Sequence, residues 1–393
     1  MHILELPSFF PPYGGLFCLD QSKALATLGH EVRIVANVQL SVRRSLKHYL
    51  LARTGTHEAE MDGITILRRE MRGWPKAVRT NSRRWVAGVR QMVAEYISFY
   101  GKPHIIHAHC TKWAGYAAML IANDHHIPYV ITEHLSSALY REEFGPVSGN
   151  GGKTPWQLPL LRQALRKAAM VVPVSEELVD DLAPYFGRDY RHIPLSNTID
   201  TDFFAYHDRH PSDGGAERPF TLCALGINVP RKAYEILIPA FLQFARKHPE
   251  SRLLIAGRDT EKIAVDNLSG GQPAVGITLL GEVDKAGVRD ILHKSDCLVL
   301  PTRSEAQGLV LLEAMSTGIR TITTEAAPRN VRIKGGCTIV PVDDIAALAE
   351  AMETVYSTPF TSGEALSRQV ASLCSPRAVG LQLEKIFAQA QSQ

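Results

Sequence analysis

The chain reads as a parallel α/β protein of two domains, and three observations carry that reading. Its 393 residues exceed one ordinary domain. Short β-rich runs alternate with helical patterns from end to end, as in parallel sheets covered by helices. A hydrophobic content of 45% supplies core for both domains without disulfide staples.

In the first half, strands are expected at 1–6, 31–36, 64–68, 104–107, 129–132 and 171–174, with helices at 16–28, 83–100, 112–123 and 156–169. In the second, strands are expected at 220–225, 252–256, 277–280, 297–300, 320–323 and 338–340. Apolar residues at 236, 237, 240, 241 and 244 make a helical stripe over 233–246, which Pro239 is expected to kink. Near the C-terminus, Ser375-Pro376 offers an N-cap followed by proline, and Val379, Leu383, Ile386 and Phe387 continue as a stripe. The boundary is expected within 206–218, which is polar, contains Pro211 and Gly214-Gly215, and lacks periodicity. The domains are then 1–205 and 206–375, with a final helix at 376–393. A second irregular stretch, 141–155, lies inside the first domain. There is no internal repeat of the solenoid kind.

Six scattered cysteines without metal-type spacing read as reduced thiols. No signal peptide precedes the first strand, and no apolar run approaches the ~18 residues that cross a bilayer. A cytoplasmic chain is expected, soluble or peripheral at the inner face of a membrane. The net charge is only +3, yet residues 41–90 hold twelve Lys/Arg against four acids, with Trp74 and Trp85 among them. That block is either a solvated basic face or a surface for anionic lipid or a phosphorylated acceptor.

The richest stretch runs from Ser304 to Met315 and holds two carboxylates, Glu305 and Glu313, eight residues apart with Gly308 between them. It follows the strand expected at 297–300. A helix opening near Gly308 would turn free N–H groups toward the strand's carboxyl edge, where anions bind. Amides for a diphosphate, flanked by carboxylates for hydroxyl groups, suit a sugar nucleotide.

The spacing resembles the Glu-x7-Glu signature of the family-4 retaining glycosyltransferases, and further matching segments extend the resemblance over nearly the whole chain. It implies the GT-B fold: two facing Rossmann-like domains, with a last helix crossing back to the N-terminal one. It also implies an acceptor-binding first domain, a donor-binding second domain, reaction in a cleft between them, and no metal or other cofactor. Glu305 resembles the carboxylate that contacts the transferred sugar, and Glu313 the one that binds the nucleotide ribose. Gln307, Gly308 and Leu309 fall at the donor-contacting helix opening, although the family often has Phe where Gln307 stands. Lys232 matches the lysine on the donor diphosphate. The arginine usual after the preceding glycine is absent, since Ile227 follows Gly226, and Arg231 is the candidate substitute.

In the first domain, Gly14-Gly15 matches the family's Gly-Gly loop after strand one, where missing side chains let a ligand approach the backbone. His134, in Thr132-Glu133-His134, resembles the histidine that reaches the donor sugar. Ser175 and Asn197 also fall at family-marked positions, and His107 and His109 are expected to pack or support. Asp200-Thr201-Asp202 looks like a metal-binding triad of the other large glycosyltransferase fold, but its place before Phe203-Phe204 argues against that role. The expected function is transfer of a sugar from a nucleotide-diphosphate sugar to a glycan or lipid-linked acceptor, with no nucleic-acid partner. The alternatives are a catalytically silent sugar-nucleotide-binding module and another GT-B enzyme such as a sugar-nucleotide epimerase. A dinucleotide dehydrogenase is disfavoured, because the first turn is long and lacks GxGxxG.

Overall fold

The computed structural model describes residues 1–43, 45–146, 152–208, 218–269 and 275–392. The chain forms two compact units, Met1–Thr198 together with Pro376–Gln393, and Ile199–Ser375. The passage between them lies upstream of the expected 206–218. The reason is packing: Ile199 and Phe204 are buried with Leu311 and Leu312 of the second unit. The Ile199 amide also donates to the Cys374 carbonyl at 2.7 Å. Pro211 and Gly214-Gly215 fall outside the described residues, as does Arg44 of the basic block.

The first unit contains β1 (His2–Pro7), β2 (Glu31–Leu40), β3 (His57–Met61), β4 (Ile64–Arg72), β5 (Ile105–His109), β6 (Tyr129–Glu133) and β7 (Met170–Pro173). Their spatial order is β3-β4-β2-β1-β5-β6-β7. All neighbours are parallel except β3, which pairs antiparallel with β4. This edge strand was not expected, because its sequence alternates acids with partly buried residues. Asp62-Gly63, both at positive φ (51° and 78°), makes the tight turn that joins the pair. The order reverses between β1 and β5, so the loops after those two strands flank the crevice where open α/β sheets bind ligands.

Helices Leu16–Thr27, Val78–Tyr100, Tyr116–His125 and Leu158–Lys167 lie where helical patterns were read. The third starts four residues later than expected. Side chains take the amides that would begin it: Thr111 N–H donates to Glu133 Oε2 at 2.8 Å and Ala114 N–H to Ser8 Oγ at 3.1 Å. Ser137–Phe144 is helical, so only part of the irregular 141–155 is loop, and 147–151 lie outside the described residues. The last helix, Pro376–Gln391, belongs to this unit. Val379, Leu383, Ile386 and Phe387 pack with Ile3, Ile105, Val130 and Val172 on one sheet face. Gly380 allows that approach, since a Cβ there would stand 3.0 Å from the Ala24 carbonyl oxygen.

The second unit is a six-stranded parallel sheet of β8 (Thr221–Leu225), β9 (Arg252–Ala256), β10 (Ile277–Gly281), β11 (Cys297–Leu300), β12 (Arg320–Thr324) and β13 (Cys337–Val340), in the order β10-β9-β8-β11-β12-β13. Leu222, Ala224, Cys297 and Val299 enter one apolar cluster, and Cys223, Leu225, Leu298 and Leu300 the other. Both faces are therefore covered, which explains why these strands read as unbroken apolar runs. Helix Tyr234–Ala245 runs continuously through Pro239. Leu237, Ile238, Ala240 and Phe241, all buried around the proline, hold its turns against the sheet. The strand order reverses between β8 and β11.

Phe387→Ala tests the docking of the last helix. Phe387 is fully buried, so the change should destabilise the first unit by about 3–5 kcal/mol in urea titrations. A loss below about 1 kcal/mol would show that the helix contributes little.

Candidate active site

In the second unit, the loops after β8 and β11 meet at the order reversal. Pro230–Lys232 forms one 3-10 turn, pinned by Thr302 Oγ1 and Arg303 N–H, which donate to the Arg231 carbonyl at 3.0 and 2.8 Å. This brings Lys232 Nζ to 2.5 Å from Glu305 Oε1 and Arg231 Nη1 to 3.0 Å from the same oxygen. Lys232 is only 7% exposed. Gly226 makes room for it, because a Cβ there would lie 3.0 Å from Lys232 Cε. Burial pushes the Lys232 ammonium below its ordinary pKa, opposed by Glu305 and assisted by Arg231. A buried ammonium needs such a partner.

Gly308 caps helix Leu309–Ser316 at φ 84°. That left-handed geometry favours glycine. The helix thus opens where the spacing of Glu305, Gly308 and Glu313 placed it. Glu313 sits in its second turn and is partly buried, Leu309 is its first residue, and Gln307 is buried just before it. Arg231, Lys232 and Glu305 are in direct contact, and Gly308 lies against Glu305, with 3.6 Å from its ideal Cβ position to Glu305 Cγ.

In the first unit, Gly14 and Gly15 both take positive φ (92° and 85°), and Gly15 caps helix Leu16–Thr27. A Cβ on Gly15 would collide with the Phe9 carbonyl oxygen at 1.9 Å. His134 follows β6, stacked on Phe17 with ring centroids 3.8 Å apart. Asn197 accepts from Gln21 Nε2 at 3.2 Å and stands beside the His134 ring. Ser175 caps helix Glu176–Phe186, accepting from the Leu178 amide. Of the Asp-Thr-Asp triad, Asp200 accepts from the Phe203 amide and pairs with Lys285.

Two buried carboxylates went unread in the sequence. Glu133 accepts from the Thr111 amide, the Leu135 amide and the Tyr140 hydroxyl, each at 2.8 Å, and burial raises its pKa. It ties together the turns after β5 and β6. Glu5, fully buried within β1, lies 2.9 Å from His107 Nδ1 and accepts from His109 Nε2 at 2.7 Å. The available signal was an acid inside an apolar strand, which demands a partner. The register Glu5↔His107 and Pro7↔His109 supplies two. Burial opposes its ionisation, yet His107 and His109 outweigh burial and hold the Glu5 carboxyl at about 2. Burial pushes His109 down to about 4, with His107 assisting and Glu5 opposing. Burial, His109 and His107 likewise hold His134 well below the ordinary imidazole value, against a contribution from Asn197.

Two family models match: one described as a glycosyl transferase 4-like domain over residues 15–198, the other as glycosyl transferases group 1 over 219–358. Among curated relatives, the glycogen synthase of Mycobacterium tuberculosis is 28% identical over 264 residues, covering 66% of this chain and 61% of its own. The chain thus spans about three-fifths of that relative's length. Among solved structures, the sucrose-phosphate synthase of Thermosynechococcus elongatus superimposes with a TM-score of 0.77 at 17% identity, over 100% of both chains. The HepE protein of Anabaena, in complex with UDP and glucose, has a TM-score of 0.69 at 16% identity over 99% of each chain. These structural likenesses show the fold.

The buried histidines set a pH response. An imidazole held neutral in the native chain but protonated near 6.5 once unfolded makes the folded state bind fewer protons. Stability is therefore present above about 6.5 and falls as pH drops toward the native value near 4. Glu5 adds a loss of the same sign between about 4.5 and 2. Urea titrations of the first unit should lose about 2–3 kcal/mol from pH 7 to 4 through His109. A flat profile would contradict the neutral assignment.

Proposed function

The chain belongs to the GT-B glycosyltransferases of the family-4 type, and on that footing we propose that it transfers a sugar, with retention, from a nucleotide-diphosphate sugar. The acceptor in this reading is a glycan or lipid-linked glycan, in polysaccharide or glycolipid assembly. One observation carries the proposal: Arg231 and Lys232 converge on Glu305 beside the helix opened at Gly308. A nucleoside diphosphate gains negative charge as it leaves, and fixed cations with helix-end amides stabilise that charge. The two basic side chains supply what a divalent ion would otherwise bring, so the reading includes no metal. The Anabaena protein holding UDP and glucose supports a nucleotide-linked hexose as donor.

The roles follow from chemistry and position. Lys232 and Arg231 bind the diphosphate, Glu305 the hydroxyls of the transferred sugar, and Glu313 the ribose, whose adjacent hydroxyls two carboxylate oxygens can accept. Gln307, Gly308 and Leu309 contribute the helix opening. In the first unit, Gly14, Gly15, His134 and Asn197 are the residues this reading assigns to the sugar substrate. In the reaction, the C1–O bond to phosphate breaks and the acceptor oxygen bonds to C1 from the same face. The acceptor's proton passes to the departing phosphate oxygen, which becomes more basic as charge accumulates on it.

Peripheral membrane contact accompanies this reading. No described helix is long and apolar enough to cross a membrane. Helix Leu46–Leu51 buries none of its residues, and Leu46, Leu50 and Leu51 are exposed near Lys47 and exposed Trp74. Exposed apolar groups beside cations suit an anionic lipid surface.

Lys232→Ala should lower turnover of the true donor by on the order of 10²–10³. A loss under about threefold would remove it from the diphosphate site. Glu313→Ala should weaken nucleoside-diphosphate binding about tenfold or more in calorimetry, and unchanged affinity would exclude Glu313. Nucleotide release from a panel of sugar nucleotides separates the enzyme from a silent binding module, which would release none. Co-sedimentation with anionic vesicles, reversed by salt, tests the membrane surface, and equal pelleting with neutral vesicles would contradict it.

A further inference from the structure

The turn that carries Arg231 and Lys232 is not fixed by its own hydrogen bonds alone. It runs into Ala233 at φ 52°, a left-handed conformation that a Cβ makes costly. Such a backbone persists only where its surroundings impose it. Arg303, on the loop after β11, supplies much of that constraint. Its backbone N–H donates to the Arg231 carbonyl at 2.8 Å, and its Nη1 donates to the Pro230 carbonyl at 2.5 Å. Two successive carbonyls of the turn are thus tied to one residue.

The Arg303 side chain is itself aimed from two sides. Nη1 lies 2.6 Å from Glu235 Oε1, in the first turn of helix Tyr234–Ala245. Nε lies 2.7 Å from Asp343 Oδ1, on the loop after β13. Asp343 takes φ 61° immediately before Asp344, which caps helix Ile345–Ser357 by accepting from the Ala347 amide at 2.9 Å. One guanidinium therefore joins the loops after β8, β11 and β13 with the start of a helix. Two carboxylates already answer its charge, so it serves as a tie and not as a further cation for a phosphate. Arg303, Glu235 and Asp343 are all partly exposed, and exposed ion pairs contribute little to stability. What the network positions explains it better than what it stabilises.

We propose that Arg303 is a positioning residue for the donor diphosphate: it holds the Pro230–Lys232 turn so that Arg231 and Lys232 converge beside Gly308. This rests on the glycosyltransferase reading above. The role needs a planar fork, because N–H groups on two different nitrogens must point at Pro230, Glu235 and Asp343. Lysine keeps the charge and lacks that fork.

Calorimetric titration of the full-length protein with UDP, ADP and GDP identifies the diphosphate it binds best, and the matching nucleoside serves as the phosphate-free control. Arg303→Met should weaken the diphosphate about tenfold and leave the nucleoside within about twofold. A merely structural defect would weaken both alike. The urea midpoint should stay near that of the native protein, and Arg303→Lys should behave like Arg303→Met. Combined with Lys232→Ala, Arg303→Met should cost less than the two losses multiplied, because both act through one turn. If Arg303→Met does not fold, Glu235→Gln with Asp343→Asn, which leaves the fork unaimed, should give the same pattern. Full diphosphate affinity in Arg303→Met or Arg303→Lys, equal losses for diphosphate and nucleoside, or a multiplicative double variant would each overturn the proposal. Should Lys232→Ala alone weaken the diphosphate, the donor reading survives that failure. Binding of no diphosphate, or full affinity in Lys232→Ala, would instead refute the donor reading and this proposal with it.

Discussion

A buried ammonium is intolerable without a partner, and the second unit is arranged around that constraint. Lys232 is buried and its charge rests on Glu305, which also receives Arg231. Breaking such a pair by removing one member costs about 3–5 kcal/mol, because the other charge stays buried. A hydrophobic replacement of both would serve stability as well, so stability alone does not explain the arrangement. Its position does. The pair sits on the two loops that flank the reversal between β8 and β11, beside the amide end of helix Leu309–Ser316.

The first unit follows the same logic with the sign inverted. Glu5 is a buried anion in the middle of β1, and β5 places His107 and His109 beside it. Both units therefore keep a pre-formed polar cluster at the carboxyl edge of an otherwise apolar parallel sheet. In the first unit rigid strands hold these groups; in the second, the hydrogen bonds of Thr302 and Arg303 to the Arg231 carbonyl pin the two loops together, which is the fixed geometry an electrostatic site requires.

The sequence disclosed the parallel strands readily, since burial on both faces turns each into an apolar run such as Cys297–Leu300. It also placed the helix opening at Gly308, because glycine there answers a positive φ. Other features were hidden for physical reasons. β3 is a polar edge strand with no apolar face to advertise it, and only Asp62-Gly63 marked its turn. The helix start near 112 was read too early, because amides 111 and 114 are taken by Glu133 and Ser8, residues distant in sequence. Glu5 acquires meaning only from the register of two strands about a hundred residues apart, which no local pattern reveals. The domain boundary was set too late because Ile199 and Phe204, outwardly part of a linker, are core residues of the second unit.

The most direct measurement is a crystal structure of the protein soaked with a nucleoside diphosphate. The account predicts the terminal phosphate within hydrogen-bond distance of Lys232 Nζ and of the amides at Gly308–Leu309, with the ribose hydroxyls on Glu313. A diphosphate bound elsewhere, with Lys232 touching only Glu305, would contradict it.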